Sequence, residues 1–258
     1  MTLGEPGKSR VFVLSHPNHE AAVYGLAQRA RPACVFLTDG GGERRVAETR
    51  AGLGRIGLVE QAHFLNYRED AFYGALLERD TAFYLEVAKR VSEILDELRP
   101  DEVYCDAVEF YNPVHDMSLP IVRHALGREA APVFEIPLVY QKPGPGEEYE
   151  VQRLPSSQRE RALELHLSES ELAAKLAIRR EVYSMLVAQM GPVVCDLPAE
   201  HLGTEVVGRA EWALPRPGAE RVLRYEWRGA LLRERGEVSR VITYAEHYLP
   251  VASALLPA

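Results

Sequence analysis

The 258 residues predict an α/β protein: a mostly parallel sheet with helices on both faces, followed by a small C-terminal α+β extension. Two observations lead there. Short, continuous apolar runs alternate with segments of helical period over the first 140 residues, which is how strands buried on both faces and their crossover helices read. Histidines gather just after two of those runs, at the carboxyl ends of strands, where open α/β sheets bind their ligands.

Taken in order, Arg10–Leu14 is the first strand, and 20–29 follows with Ala21, Tyr24, Leu26 and Ala27 at helical spacing. A second strand, 33–37, leads to a second helix over 43–56. A strand around 62–65 precedes a long helix, Thr81–Leu98, whose Phe83, Val87, Val91, Ile94, Leu95 and Leu98 share a face. Arg99-Pro100 stops this helix, because proline cannot continue it. The strand Glu102–Asp106 comes at once, then a helix near 116–126 and a strand over 132–138. Residues 1–140 are therefore expected to form a Rossmann-like core.

The pattern changes from Gln141. A breaker cluster from Lys142 to Gly146 leads to two strand-like segments, 149–154 and 162–167, expected to pair antiparallel. A helix is expected from Glu169 to about Gln189, with Leu172, Leu176, Val182 and Leu186 at helical spacing and Gly191-Pro192 as its stop. Short, proline-interrupted elements follow Val193. Residues 141–258 read as an extension packed on the same domain, and the tail beyond Val193 as further packing on it or as a subunit contact in a possible homo-oligomer.

A net charge of −8 leaves no broad basic surface, which argues against nucleic acid and anionic membranes and for a small-molecule partner. Cys34, Cys105 and Cys195 are too scattered for a disulfide framework or a paired-cysteine metal site, and two of them lie in strand-like runs, as buried reduced thiols do. The first ten residues lack the apolar segment of a signal peptide, and no stretch approaches the roughly 20 apolar residues of a membrane span. A soluble cytoplasmic protein is the expectation.

His16 and His19 follow the first strand, three positions apart, and suit half of a mononuclear metal site. His115, in Asn112-Pro113-Val114-His115-Asp116, follows the strand Glu102–Asp106 and is the best third ligand. The two segments can converge on one crevice of a parallel sheet. His63, His124, His166, His201 and His247 have no partner at ligand spacing and are expected to be structural or solvent-facing; His247, beside Glu246, is the one that could still reach the site.

Ser15-His16-Pro17-Asn18-His19-Glu20 resembles the (A/S)HPDDE signature of the zinc-dependent de-N-acetylases of the PIG-L/LmbE type. Leu37-Thr38-Asp39-Gly40 is similar to that family's LTxG. The stretch from Arg45 through Glu48 to Gly57 is similar to its RxxE…A…LG helix, and Arg99-Pro100-Asp101-Glu102-Val103 to its RPDxV. Asn112-Pro113-Val114-His115 sits where the family has HPDH. The likeness covers about the first 140 residues in the family's order, and the C-terminal third matches only loosely.

The resemblance implies His16, His19 and His115 as metal ligands and zinc as the ion, with Fe(II), Ni(II) or Co(II) also suited to three neutral donors. His19 replaces a family aspartate, so the ion's charge is less compensated and its water more acidic. Asn18 stands in the place of the family's general base, and an amide cannot accept a proton at neutral pH. Asn112 replaces the histidine that helps to stabilise the oxyanion. Asp106, Glu109 or Asp116 could supply the missing base, with Asp106 favoured because an idle carboxylate at the end of a buried strand would be costly.

Asp39 in its glycine loop, Arg45 or Arg50 at a helix start, and Asp70, similar to the family's acid after the third strand, are the candidate substrate contacts. Glu20 reads equally as a helix N-terminal carboxylate or as a partner of a ligand imidazole. The implied activity is metal-dependent amide hydrolysis of an N-acyl sugar or amine, with altered acid/base residues. The alternatives are a lyase, isomerase or redox enzyme on the same scaffold, or a non-catalytic ligand-binding relative.

Overall fold

Five parallel strands set the frame: β1 (Arg10–Leu14), β2 (Ala33–Thr38), β3 (Ala62–Tyr67), β4 (Glu102–Asp106) and β5 (Val133–Ile136), in the spatial order β3-β2-β1-β4-β5. The computed structural model describes residues 3–127, 131–142, 148–190, 197–218 and 223–256. Residues 143–146 of the breaker cluster, the Gly191-Pro192 stop and Cys195 lie outside the described residues.

Along β1, Val11 and Val13 enter one apolar cluster and Phe12 and Leu14 the other, and all four are fully buried. Burial on both faces is why the strand reads as an unbroken apolar run. Helices α1 (Tyr24–Ala30) and α2 (Glu43–Arg55) cover the Phe12 face through Leu26, Ala27 and Leu53. The Val11 face is covered by α3 (Glu69–Glu78), α4 (Thr81–Leu98) and, beyond the four-residue α5 (Pro113–Asp116), α6 (Ser118–Leu126). Asp80 caps α4 by accepting from the Phe83 N–H at 3.0 Å, and Arg99 closes it in the left-handed region at φ 44°. The chain winds outward from β1 through β2 to β3, then resumes at β4 on the other side of β1. Adjacent strands leaving in opposite directions open a crevice beyond their carboxyl ends.

The C-terminal strands pair differently from the sequence expectation. β7 (Tyr149–Val151) pairs with β6 (Val139–Gln141), while β8 (Ala162–His166) pairs with β9 (Thr204–Arg209). Segments 149–154 and 162–167 therefore do not pair with each other. β9 also runs antiparallel beside β5, so the main sheet has seven strands in the order β3-β2-β1-β4-β5-β9-β8.

The single helix expected from Glu169 is two, α7 (Glu169–Glu181) and α8 (Ser184–Met190), broken where Tyr183 buries its ring and donates to Glu20 Oε1 at 2.7 Å. A capping box between Ser168 and Glu171 starts α7. Among the described residues, the remaining α-helices are α9 (Ala199–Leu202), α10 (Arg224–Glu234) and α11 (Leu249–Leu255). No described helix is long and apolar enough to cross a membrane. Cys34 and Cys105 are buried and unpaired in β2 and β4.

Two buried contacts fix the start of the chain against this C-terminal region. Glu205 on β9 accepts from the backbone N–H groups of Gly25 and Leu26 at 2.8 and 2.7 Å, and Lys175 on α7 pairs with it at 2.9 Å. Tyr183 packs over Gly52 so closely that an added Cβ would lie 2.0 Å from its hydroxyl oxygen. The Glu20 bond holds that ring in place, so Gly52→Ala is expected to destabilise by about 1–3 kcal/mol through overpacking. A lowered denaturant midpoint at unchanged slope is the readout, and an unmoved midpoint would show that the ring yields.

Candidate metal centre

The loop after β1 turns over the rim of the sheet under three constraints. Ser15 N–H donates to Asp106 Oδ2 at 2.7 Å, Asn18 N–H donates to Thr49 Oγ1 at 2.6 Å, and Asn18 adopts the left-handed region at φ 74°. Asparagine tolerates that conformation better than most residues. The bend presents His16 and His19 on one side. His115 comes from α5, which Asn112 caps by accepting from the Val114 N–H at 2.9 Å, with Pro113 in the first turn.

All three imidazoles are buried and meet at the crevice between β1 and β4. Their ring centroids are 5.1, 4.9 and 4.5 Å apart, and one nitrogen from each lies within 4.8 Å of the others. They border a cavity of about 210 Å³ whose other walls include Asn18, Arg45, Glu69, Asn112 and Gln152.

The hydrogen-bond network assigns the ring protons. Ser15 Oγ donates to Asp106 Oδ2 at 2.5 Å, leaving its lone pairs for His16 Nδ1 at 3.2 Å. His19 Nδ1 lies 3.0 Å from Asp106 Oδ2 and donates to it. Protons on both Nδ1 atoms leave both Nε2 lone pairs for an ion. His16 Nε2 and His115 Nδ1 are buried without a hydrogen-bond partner, an arrangement that suits metal ligation. Burial, reinforced by Arg45 and His19, holds the His16 imidazole well below its ordinary pKa, and burial with the neighbouring imidazoles does the same for His115. Neutral imidazole is the ligating form.

Asp106 stands behind His19, fully buried. Burial pushes its pKa up, but the His19 contact, His115 and Ser15 outweigh that, and the carboxyl stays below the usual range. It orients an imidazole and does not line the cavity. Asp116 accepts from the Glu109 and Phe110 N–H groups, and Glu109 from those of Leu138 and Val139, so both carboxylates shape the loop that carries His115. Arg45 spans the site by donating to the Pro17 and Gly40 carbonyls and, at 2.8 Å, to Asn18 Oδ1.

Asp39 accepts from the Gly41 and Glu69 N–H groups and lies outside the cavity; Asp70 is 65% exposed and paired with Arg68. Arg50 stacks on Phe64 at 4.2 Å. Glu20 is bound to Tyr183, and burial raises its pKa to about 7. His247 bonds Thr243, and neither it nor His63, His124, His166 or His201 lines the cavity.

Sequence reasoning missed Glu69. This first residue of α3 lines the cavity, and its Oε1 lies 3.0 Å from His16 Nε2, yet no hydrogen bond forms between them. Glu69 thus presents a carboxylate to the cavity directly beside an orphaned ring nitrogen. Tyr73 donates toward Glu69 and toward Asn112 Oδ1, each at 3.2 Å. The available signal was topological: Glu69 follows β3 as His16 follows β1.

Fold and site together define an α/β protein of the deacetylase-like fold with a buried histidine cluster able to hold a metal ion. The fold is similar to that of Dbv21, the deacetylase of A40926 pseudoaglycone, with a TM-score of 0.54 and 14% identity, covering 78% of this chain and 96% of that one. It is also similar to a triple mutant of Orf2, a deacetylase of the teicoplanin biosynthetic pathway (TM-score 0.52, 17% identity, 79% of this chain and 99% of that one). A zinc-inhibited form of the teicoplanin deacetylase Orf2 gives a TM-score of 0.51 at 15% identity, with 79% and 99% covered. No protein-family model and no curated protein sequence matches the chain.

Proposed function

We propose that this chain is a metal-dependent amide hydrolase that removes an acyl group, acetyl in the simplest case, from a small N-acyl sugar or amine. The observation that carries the reading is the convergence of His16, His19 and His115 with two orphaned ring nitrogens on a cavity at the carboxyl ends of β1 and β4. Zinc is the ion we assign to these three residues. Fe(II), Ni(II) and Co(II) satisfy the same donors. A structural neighbour has been solved in a zinc-inhibited form, so loading at one equivalent is the condition to test. When bound, the ion would supply Lewis acidity and lower the pKa of water.

The chain's own groups then divide the remaining work. Glu69, beside His16 and facing the cavity, takes a proton from the attacking water as its oxygen bonds to the amide carbon. The same carboxyl returns that proton to the nitrogen as the C–N bond breaks, giving a carboxylic acid and an amine. Asn18 cannot be a base, but its Oδ1 is held by Arg45 and its Nδ2 is buried without a partner, so Nδ2 donates to the carbonyl oxygen as charge develops there. Tyr73 keeps Glu69 and Asn112 in register.

Protein purified without chelator and loaded with one equivalent of zinc is expected to release free amine from members of a panel of N-acetyl sugars and N-acetyl amines. His115→Ala is expected to lose both the zinc and the release. No amine across the panel despite stoichiometric zinc would overturn hydrolysis. Firmly bound iron in the protein as purified, with no zinc, would instead favour a lyase, isomerase or redox enzyme.

A further inference from the structure

Asn112 borders more than the metal cavity. A second cavity of about 700 Å³ opens beside it, and Tyr111 and Asn112 line both. One wall is α10, whose Arg224 and Arg228, one helical turn apart, border the space; Leu77, Leu232, Val241 and Ile242 give it an apolar lining.

Arg224 is held in place. Its Nε donates to the Tyr149 hydroxyl at 3.1 Å, and its guanidinium lies 4.5 Å from the Trp227 ring centroid and 5.9 Å from that of Tyr111. Its Nη1 is buried with no hydrogen-bond partner. Neither Arg224 nor Arg228 makes an ion pair among the described residues, whereas Arg240, on the same cavity, is engaged by Glu78 and the Leu77 carbonyl. Two guanidiniums without acids, in a chain with a net charge of −8, mark a place built for an anion. The planar fork of arginine, stiffened by aromatic stacking, matches a carboxylate.

We propose that this cavity is a second subsite for the substrate, and that the amide cleaved at the metal centre bears a carboxylate on an apolar, ring-bearing body. The inference rests on the amide-hydrolase reading for the identity of the reacting bond and adds the chemical class of the rest of the molecule. The carboxylate pairs with Arg224 and Arg228, the ring lies on the apolar lining, and the acylated nitrogen reaches back past Asn112.

N-acetyl-L-phenylalanine and its neutral counterpart, N-acetyl-L-phenylalanine amide, serve as matched probes, with binding read from quenching of Trp227 in a Trp212→Phe background. The acid is expected to bind about tenfold or more tighter than the amide, the worth of one charge-assisted contact. Arg224→Gln and, independently, the more exposed Arg228→Gln should each cut that preference to about threefold or less. Equal binding of the two probes by the parent protein, or a preference that survives both arginine replacements, overturns the subsite. A preference that persists while no N-acetyl compound yields amine sinks the hydrolase reading alone; amine release from both probes at equal kcat/KM, with no preference in binding, sinks the subsite alone.

Discussion

Glu69→Gln is expected to keep its stoichiometric zinc and to release amine about 10²–10⁴-fold more slowly than the parent chain, the usual effect of losing a general base. The side chain keeps its length and can still bond Tyr73, but it can no longer accept the proton of water. Metal content is the control that gives the experiment its meaning. Three imidazoles remain, so loss of zinc along with turnover would make Glu69 a ligand, and unchanged turnover would remove it from the chemistry. Asn18→Ala is the companion test. Loss of a single oxyanion donor costs about 10²–10³-fold in kcat, with less effect on KM if Nδ2 acts only as charge develops.

Lys175→Ala is expected to cost about 3–5 kcal/mol of stability, because Glu205 would lose its direct ion-pair partner in a buried site. Both side chains are essentially excluded from solvent, at 0% and 1% exposure, which separates this pair from the surface ion pairs elsewhere on the chain. Burial pulls the Lys175 ammonium below its ordinary pKa, while Glu205 opposes that shift. Chemical denaturation measures the loss. The double replacement Lys175→Met with Glu205→Gln should recover a large part of it, since neutral groups of similar volume tolerate burial. A single-replacement loss under about 1 kcal/mol would mean that water reaches Glu205 once the lysine is gone.

Much of this was legible in the residue string. β1, β4 and α4 could be placed because a strand buried on both faces is a continuous apolar run, and a long amphipathic helix repeats its apolar stripe many times over. Strand partnership was not legible in the same way. Three-residue β7 and five-residue β8 carry no mark of which edge they will join, and six-residue β9, between Pro198 and Pro215, gains its place only by pairing with β5 and β8.

In the site, the histidine spacing after two strand ends was readable, whereas the acids were not. Asp106, Glu109 and Asp116 are near the ligands in sequence, yet each is committed to an imidazole or to backbone N–H groups. Of the adjacent pair Glu69 and Asp70, helix geometry turns the first toward the cavity and leaves the second in solvent. A single residue of phase at the start of α3 decides between them, and local sequence does not carry that information.

Glu205 holds the first turn of α1 from 180 positions further along the chain, and Val151, Gln152 and Leu186 wall the same crevice. During translation, the loop with His16 and His19 therefore leaves the ribosome long before the residues that anchor and enclose it. A nascent fragment ending near residue 140 would hold all three imidazoles without Val151, Gln152 and Leu186, which wall the cavity in the folded chain.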